Sequence, residues 1–232
     1  MPPPSVATRP NSLPLHQDGA HVKLAARSRR GRLVGCAPWP PRHRARARIL
    51  DAAYDLFSRR GIKAVGIDAI IERSGVARMT LYRHFRSKDE LVLAFLERRE
   101  EVWTRDWLQA EVERRATEPS ERLLAIFDVF DAWFRRADFE GCAFINVTLE
   151  TADAGDRIYR ASASYLAGIR TFIEDLARRA GIRRADDFAR KWHILMKGSI
   201  VAAREGDQDA ARRAQDVGRL LLVAELPAAP AG

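Results

Sequence analysis

The sequence predicts an all-α protein, a three-helix N-terminal unit followed by a larger helical body, with about nine helices in all. Two observations carry this expectation. From Arg42 onward the apolar residues recur at helical spacing, and no stretch alternates as a half-buried strand would. Gly61, Gly75, Gly141, Gly155, Gly181 and Gly206 then punctuate the pattern where helices should stop. No repeat of 30–45 residues is visible.

The elements follow in order. Ile49, Ala53, Leu56 and Phe57 form an i, i+4, i+7, i+8 stripe on a first helix that Gly61 ends. A short second helix, Ile67 to Ser74, turns Ile67, Ile70 and Ile71 inward, and Gly75 closes it with the positive φ that a tight turn between crossing helices demands. A third helix runs from about Arg78 to Phe85. Ser87 is a candidate N-cap for a fourth, with Asp89 and Glu90 in its first turn where the helix dipole favours negative charge. That helix is expected to continue from Lys88 to about Arg115, where Ala116–Ser120 interrupts it. Further helices are expected at about 120–138, 141–151, 156–180, 185–204 and 207–225.

Composition narrows the classes of partner. The 232-residue chain carries a formal charge of +9 and a pI near 10.2, which favours an anionic partner, nucleic acid first. Arginine-rich composition alone is weak support, but the distribution says more. Residues 1–41 hold 6 Lys/Arg against 1 Asp, residues 42–90 hold 12 against 6, and the rest hold 22 against 24. The excess therefore lies in the first 90 residues. Residues 1–41 also hold 8 of the 11 prolines and show no hydrophobic period, so they are expected to form a disordered tail. Such a tail either adds nonspecific phosphate affinity or reflects a start codon placed too far upstream. Residues 227–232 are expected to be a second, short tail.

Two cysteines, Cys36 and Cys142, make no disulfide framework and fit a reducing cytoplasm. No apolar run reaches the roughly 18 residues a membrane span needs. Ser28–Cys36 has a twin arginine before Leu-Val-Gly-Cys, but lacks the roughly 7–15 apolar residues of a signal peptide, so export is not expected. The five histidines are scattered, and no His/Cys/Asp/Glu group has metal-ligand spacing. With no nucleotide loop, nucleophile motif or paired carboxylates, neither metal, cofactor nor enzymatic activity is expected.

Three short helices with a glycine turn between the second and third describe a helix-turn-helix. On the third, at 100° per residue, Leu81 and Phe85 fall together and face inward, while Met79, Thr80 and Arg83 point away and Tyr82 and His84 flank them. The exposed face thus offers hydroxyl, phenol, imidazole and guanidinium groups, which reach phosphate oxygens and base edges in a major groove. Arg78 stands at the helix N-terminus, where recognition helices approach bases. The competing reading is a solvated helix that is basic by chance.

The stretch RILDAAYDLFSRRGIKAVGIDAIIERSGVARMTLYRHFRSKDELVLAFLE, Arg48 to Glu97, resembles the N-terminal domain of the TetR/AcrR family of transcriptional regulators. Its landmarks are Ile49, Ala52-Ala53, Leu56-Phe57, Gly61, Ile70, Gly75-Val76, Thr80-Leu81-Tyr82, His84-Phe85, Lys88 and Glu90-Leu91. The resemblance implies that residues 42–90 bind an operator in double-stranded DNA and that residues 91–226 bind a small-molecule effector and dimerise. It places Arg78 and Met79 at base-reading positions, Thr80, Tyr82 and His84 at phosphate or groove contacts, and Lys88 on the backbone. Two positions depart from the family's commonest pattern: Val65-Gly66 replaces the hydroxyl pair that often opens helix two, and Ala77 replaces the serine that often caps helix three. Both remove a phosphate-binding hydroxyl and shift that load to Arg44, Arg46 and Arg48.

Beyond residue 97 the resemblance is looser. It implies a homodimer through the last two helices, with Leu195, Ile200, Val201, Val217, Leu220, Leu221 and Leu222 supplying apolar surface. It also makes an effector cavity plausible, with Trp103, Trp107, Phe127, Phe130, Trp133, Phe134, Phe139 and Phe144 as candidate lining, although aromatics at helical spacing are more often plain core. Gly141–Glu150 resembles a family segment in which Asn146 and Glu150, with Cys142, share one face as a polar pocket wall; a small-residue helix contact is the alternative. His193 is expected in a core or interface. The implied function is a ligand-responsive regulator, most simply a repressor, with activation left open. A small-molecule binder without DNA affinity and a nonspecific architectural protein driven by the basic tail are the other classes.

Overall fold

A computed structural model describes residues 41–151 and 153–226. The tail expected at 1–41 lies outside these residues except for Pro41, which opens the first helix, and the tail expected at 227–232 lies outside them altogether. Among the described residues there are nine helices and no strand. They are α1 (Pro41–Arg60), α2 (Ile67–Ser74), α3 (Arg78–His84), a long α4, α5 (Pro119–Phe134), α6 (Ala143–Glu150), α7 (Arg157–Arg179), α8 (Ala185–Arg204) and α9 (Ala210–Glu225). Helix α4 starts as Lys88–Arg99, continues as a π-helix over Glu100–Gln109 and ends as Ala110–Arg115. No helix among the described residues is long and apolar enough to cross a membrane.

The expected starts and stops have physical counterparts. Ser87 caps α4 by accepting the Glu90 N–H at 3.2 Å, and the Glu90 carboxylate accepts the Arg86 N–H at 2.7 Å, a near relative of the capping box. Asp156 caps α7 through the Ile158 N–H at 2.6 Å. Gly75 ends α2 at φ +62°, its N–H on the Ile71 carbonyl. Gly155 stands in the break between α6 and α7 without a positive φ. Its N–H instead donates to the Asp153 carboxylate at 2.7 Å in an Asx-type turn.

The first three helices close around Ile49, Ala53, Phe57, Ile70, Leu81 and Phe85, all buried. Leu91, Val92 and Phe95 of α4 complete that core, with the Phe95 ring set edge-on to Tyr54 and Phe57 at 5.6 and 5.5 Å. The body packs α5 between α7 and α9, and α8 against both α7 and α9. Trp192 on α8 stacks on Phe188 and meets Phe127 of α5. Gly218 lets α9 approach, because a Cβ there would stand 2.8 Å from the Trp192 ring.

The sequence led us to expect an unbroken α-helix from Lys88 to Arg115, and the π-helical stretch is a departure. With i→i+5 hydrogen bonds, residues four apart fall nearly in line. Glu100, Thr104 and Leu108 thus come to one buried side, and Trp103 and Trp107 stand ring to ring at 5.6 Å. Trp103 is buried and Trp107 half-buried.

His193, on α8, is 4% exposed, and burial together with Lys197 and Arg170 pushes its pKa from 6.5 down to about 3. The native state therefore holds the ring neutral where the unfolded chain protonates it. Stability conferred by this group is complete above pH 6.5 and falls as pH drops toward 3, by about 1.4 kcal/mol per pH unit. Denaturant titrations between pH 7 and 4 should show a shallower decline for His193→Gln than for the wild type.

Candidate nucleic-acid interface

The three-helix head presents α3 outward because Leu81, fully buried, and Phe85, its buried C-cap, tie the opposite side down. The exposed side carries Arg78, Met79, Tyr82 and Arg83, with Thr80 and His84 half-buried beside them. Met79 is 74% exposed. Lys88 opens α4 next to this face and is half-buried. Arg46 lies with its guanidinium 5.1 Å from the centre of the Phe85 ring, a cation–π contact that holds it at the edge of α3. Neither Gly66 nor Ala77 offers a side-chain cap, so the first N–H groups of α2 and α3 lack the hydroxyl that their positions often carry.

Arg48 has partners within the head. Expected among the DNA contacts, it donates from Nη2 to the Ser74 carbonyl and to the Gly75 carbonyl, the latter at 3.1 Å. Its guanidinium is committed to the α2–α3 turn and fixes the angle at which α3 is presented. The same atom would lie 2.8 Å from a Cβ at residue 75, so a side chain there would displace this guanidinium, while the φ of +62° is what calls for glycine.

The aromatic residues expected around a cavity separate into two groups. Trp103, Trp107, Phe127, Phe130, Trp133, Phe134 and Phe139 form one continuous cluster, with Trp103 and Trp133 centroids 4.7 Å apart. Phe127, edge-on to Phe130 at 6.3 Å, also meets Trp192 and carries the cluster into the α5–α8 junction. Phe144 lies against Tyr165 of α7, away from the tryptophans in contact terms. Burial and the neighbouring Glu97, Glu100 and Glu101 raise the Tyr165 pKa.

The sequence reading missed two polar residues here. Glu100 Oε2 and Thr104 Oγ1 are buried without a hydrogen-bond partner among the described residues, as is the indole N–H of Trp103. Unmet polar atoms are costly in a dry interior. Their i, i+4 spacing with Leu108 at i+8 places them on one helix face, but a search for apolar stripes passes over a glutamate and a threonine.

Glu150, expected on a pocket wall with Asn146, is elsewhere engaged. Its Oε2 accepts the Lys63 N–H at 2.8 Å, and its carboxyl fills the space where a Cβ of Gly61 would be. Asn146 is half-buried on α6, and Cys142 is buried as the N-cap residue of that helix, its thiol pKa raised by burial. Glu150 thus joins α6 to the turn between α1 and α2. Arg59 pairs with Glu140 at 3.5 Å in the same region, beside an open cleft of about 430 Å³ lined by Arg59, Ala137, Asp138 and Glu140. Burial raises the Glu140 pKa despite Arg59. None of the candidate aromatic residues lines this cleft.

The apolar residues of the last two helices, which the sequence leaves open between core and partner, divide by burial. Ile200 and Leu222 belong to the core, and Leu195 and Leu221 are half-buried. Val201, Val217 and Leu220 are exposed, joined by Ile194 and Val223, which the sequence reading left out.

Comparison with known proteins bears on this arrangement. The sequence pattern of "Bacterial regulatory proteins, tetR family" matches residues 49–95. The chain is 40% identical over 90 residues to the HTH-type transcriptional activator FasR of Mycolicibacterium smegmatis, covering 39% of this chain and 40% of that protein. It is 49% identical over 53 residues to the HTH-type transcriptional repressor KstR of Rhodococcus jostii, covering 23% and 25%. The chain thus spans less than half the length of these curated relatives. A crystal structure of a TetR-family transcriptional regulator from Streptomyces coelicolor superposes with a TM-score of 0.71 at 27% identity, covering 79% of this chain and 96% of that one. A second, from Chloroflexus aurantiacus, gives 0.70 at 22% identity over 80% and 97%, a likeness in fold alone.

Measured by denaturant midpoint, Gly75→Ala is expected to cost about 1–2 kcal/mol from the left-handed backbone alone, with Arg48 displaced in addition.

Proposed function

We propose that the chain is a DNA-binding transcriptional regulator of the TetR kind and not an enzyme, and that it acts as a cytoplasmic repressor released from a near-palindromic operator by a small-molecule effector. The observation that carries this reading is the outward face of α3. Arg78, Met79, Thr80, Tyr82, Arg83 and His84 form a contact surface on a helix that Leu81 and Phe85 pin from behind. In it Arg78 and Met79 reach base edges, the hydroxyl, phenol and imidazole groups serve phosphates, and Arg46 and Lys88 grip the backbone on either side.

A homodimer through α8 and α9 supplies the two-fold symmetry. Ile194, Val201, Val217, Leu220 and Val223 provide the apolar surface, with Leu220 73% exposed in the single chain. Two α3 helices would then sit in successive major grooves about 34–36 Å apart.

The effector site we assign to the neighbourhood of the π-helical stretch, where the Trp103 cluster meets unpartnered polar atoms of Glu100, Trp103 and Thr104. An effector there would act on α4, whose next residues upstream hold the head. Arg98 pairs with Asp51 at 2.5 Å, and Arg99 donates to the Tyr54 hydroxyl at 2.8 Å. Effector and operator favour different α4 positions, so each weakens the other's binding. The activator among the relatives supports a second reading, in which the same surface recruits transcription.

Two sets of measurements test the proposal. Arg78→Ala should cost about 1–3 kcal/mol on the selected operator and little on random duplex, whereas Lys88→Ala should weaken both and lower the salt slope by about 1. Equal losses for Arg78→Ala on the two duplexes would remove it as a reader. By sedimentation, Leu220→Glu is expected to weaken self-association at least about tenfold, since a lone carboxylate in an apolar interface forfeits its hydration.

A further inference from the structure

Beside the reading surface stands a residue that neither the helix-turn-helix pattern nor the family assignment gives a role. Asp68 lies in the first turn of α2, and its Oδ1 accepts a hydrogen bond from Nη2 of Arg78 at the start of α3. The two side chains are 78% and 57% exposed, so the pair sits in water on the face the head turns outward. An ion pair so exposed contributes little to stability. The nearby acid Asp55 is spent differently, bridging Arg59 at 2.9 Å and Arg73 at 3.0 Å on the flank of α1.

A carboxylate at a phosphate-binding surface is a liability for affinity, because it repels every DNA sequence alike. What it offers is orientation. Arginine carries five N–H donors in a rigid fork, and one of them on Asp68 leaves an edge that can address the O6 and N7 acceptors of guanine. Without the tether, a flexible guanidinium at a helix N-terminus is equally able to swing onto a phosphate oxygen, a contact that carries no sequence information.

We propose that Asp68 is a specificity-determining residue of the DNA interface, holding Arg78 in a base-reading pose and opposing its use as a phosphate ligand. This rests on the reading of Arg78 as a base reader. The presence of Asp68 therefore lowers affinity for random duplex and raises the ratio of specific to nonspecific binding.

The test uses the full chain as wild type, Asp68→Ala, Asp68→Asn and Arg78→Ala. Fluorescence anisotropy is read on the duplex enriched by the wild type from a random library and on a scrambled duplex of equal length, each over a range of salt. Asp68→Ala should tighten binding to the scrambled duplex, steepen its salt slope by up to about 1, and lower the specificity ratio about tenfold. Asp68→Asn keeps an acceptor for Arg78 without the charge, so it should share the nonspecific gain and lose less of the ratio. In the Arg78→Ala background, Asp68→Ala should leave the ratio unchanged. Because Asp68 is exposed, a melting temperature close to wild type is expected for both variants.

If the two duplexes shift together in Asp68→Ala while Arg78→Ala still loses the ratio, the role of Asp68 is overturned and the reader role of Arg78 stands. If the wild type itself does not discriminate between the duplexes, the base-reading surface fails and the Asp68 proposal falls with it.

Discussion

The packing of Phe95 against Tyr54 and Phe57 makes α4 part of two hydrophobic cores at once, and the behaviour of the whole head follows from that sharing. Leu91, Val92 and Phe95 close the three-helix unit, while Trp103, Leu108 and Val112 on the same helix are buried in the body. A closely packed interior transmits displacement instead of absorbing it. Any shift of the π-helical stretch must therefore be taken up by α4 moving the head with it, or by a loss of packing at Phe95. The polar links are arranged along the same seam: Arg98 to Asp51, Arg99 to Tyr54, and Glu150 to the Lys63 backbone. These are long-range contacts that can be exchanged at small cost, whereas the Phe95 contacts cannot.

The charges of the head are similarly divided by task. Arg48 is held by the Ser74 and Gly75 carbonyls and serves the angle of the turn, and Arg73 and Arg59 share Asp55. A surplus of basic residues in a sequence thus overstates the number available to DNA. The surface that remains is narrower and more ordered than the charge count implies, which suits a reader of base edges better than a nonspecific phosphate binder.

Much of the head was legible because its information is local. A 3.6 period places Leu81 and Phe85 behind α3 and Met79 in front of it, and Gly75 and Ser87 mark turn and cap without reference to distant residues. What escaped was long-range. Arg48 finds its carbonyls 26 and 27 residues away, and Glu150 finds the Lys63 N–H 87 residues away, so spacing within their own helices gave no sign of these partners. The aromatic residues were placed on the right helices, but which ring meets which depends on how α5, α7 and α8 approach one another. Along α8 and α9, helical periodicity cannot tell a core-facing Leu222 from an exposed Val223, because both faces of α9 are apolar near its end.

The account stands or falls on whether two copies of the α3 surface read DNA together. Hydroxyl-radical footprinting of the full chain on its selected duplex measures this directly. The account predicts two protected patches on one face of the duplex, related by a dyad and separated by about one helical turn, roughly 34–36 Å. A single patch, or protection spread evenly along the duplex without a dyad, would contradict it.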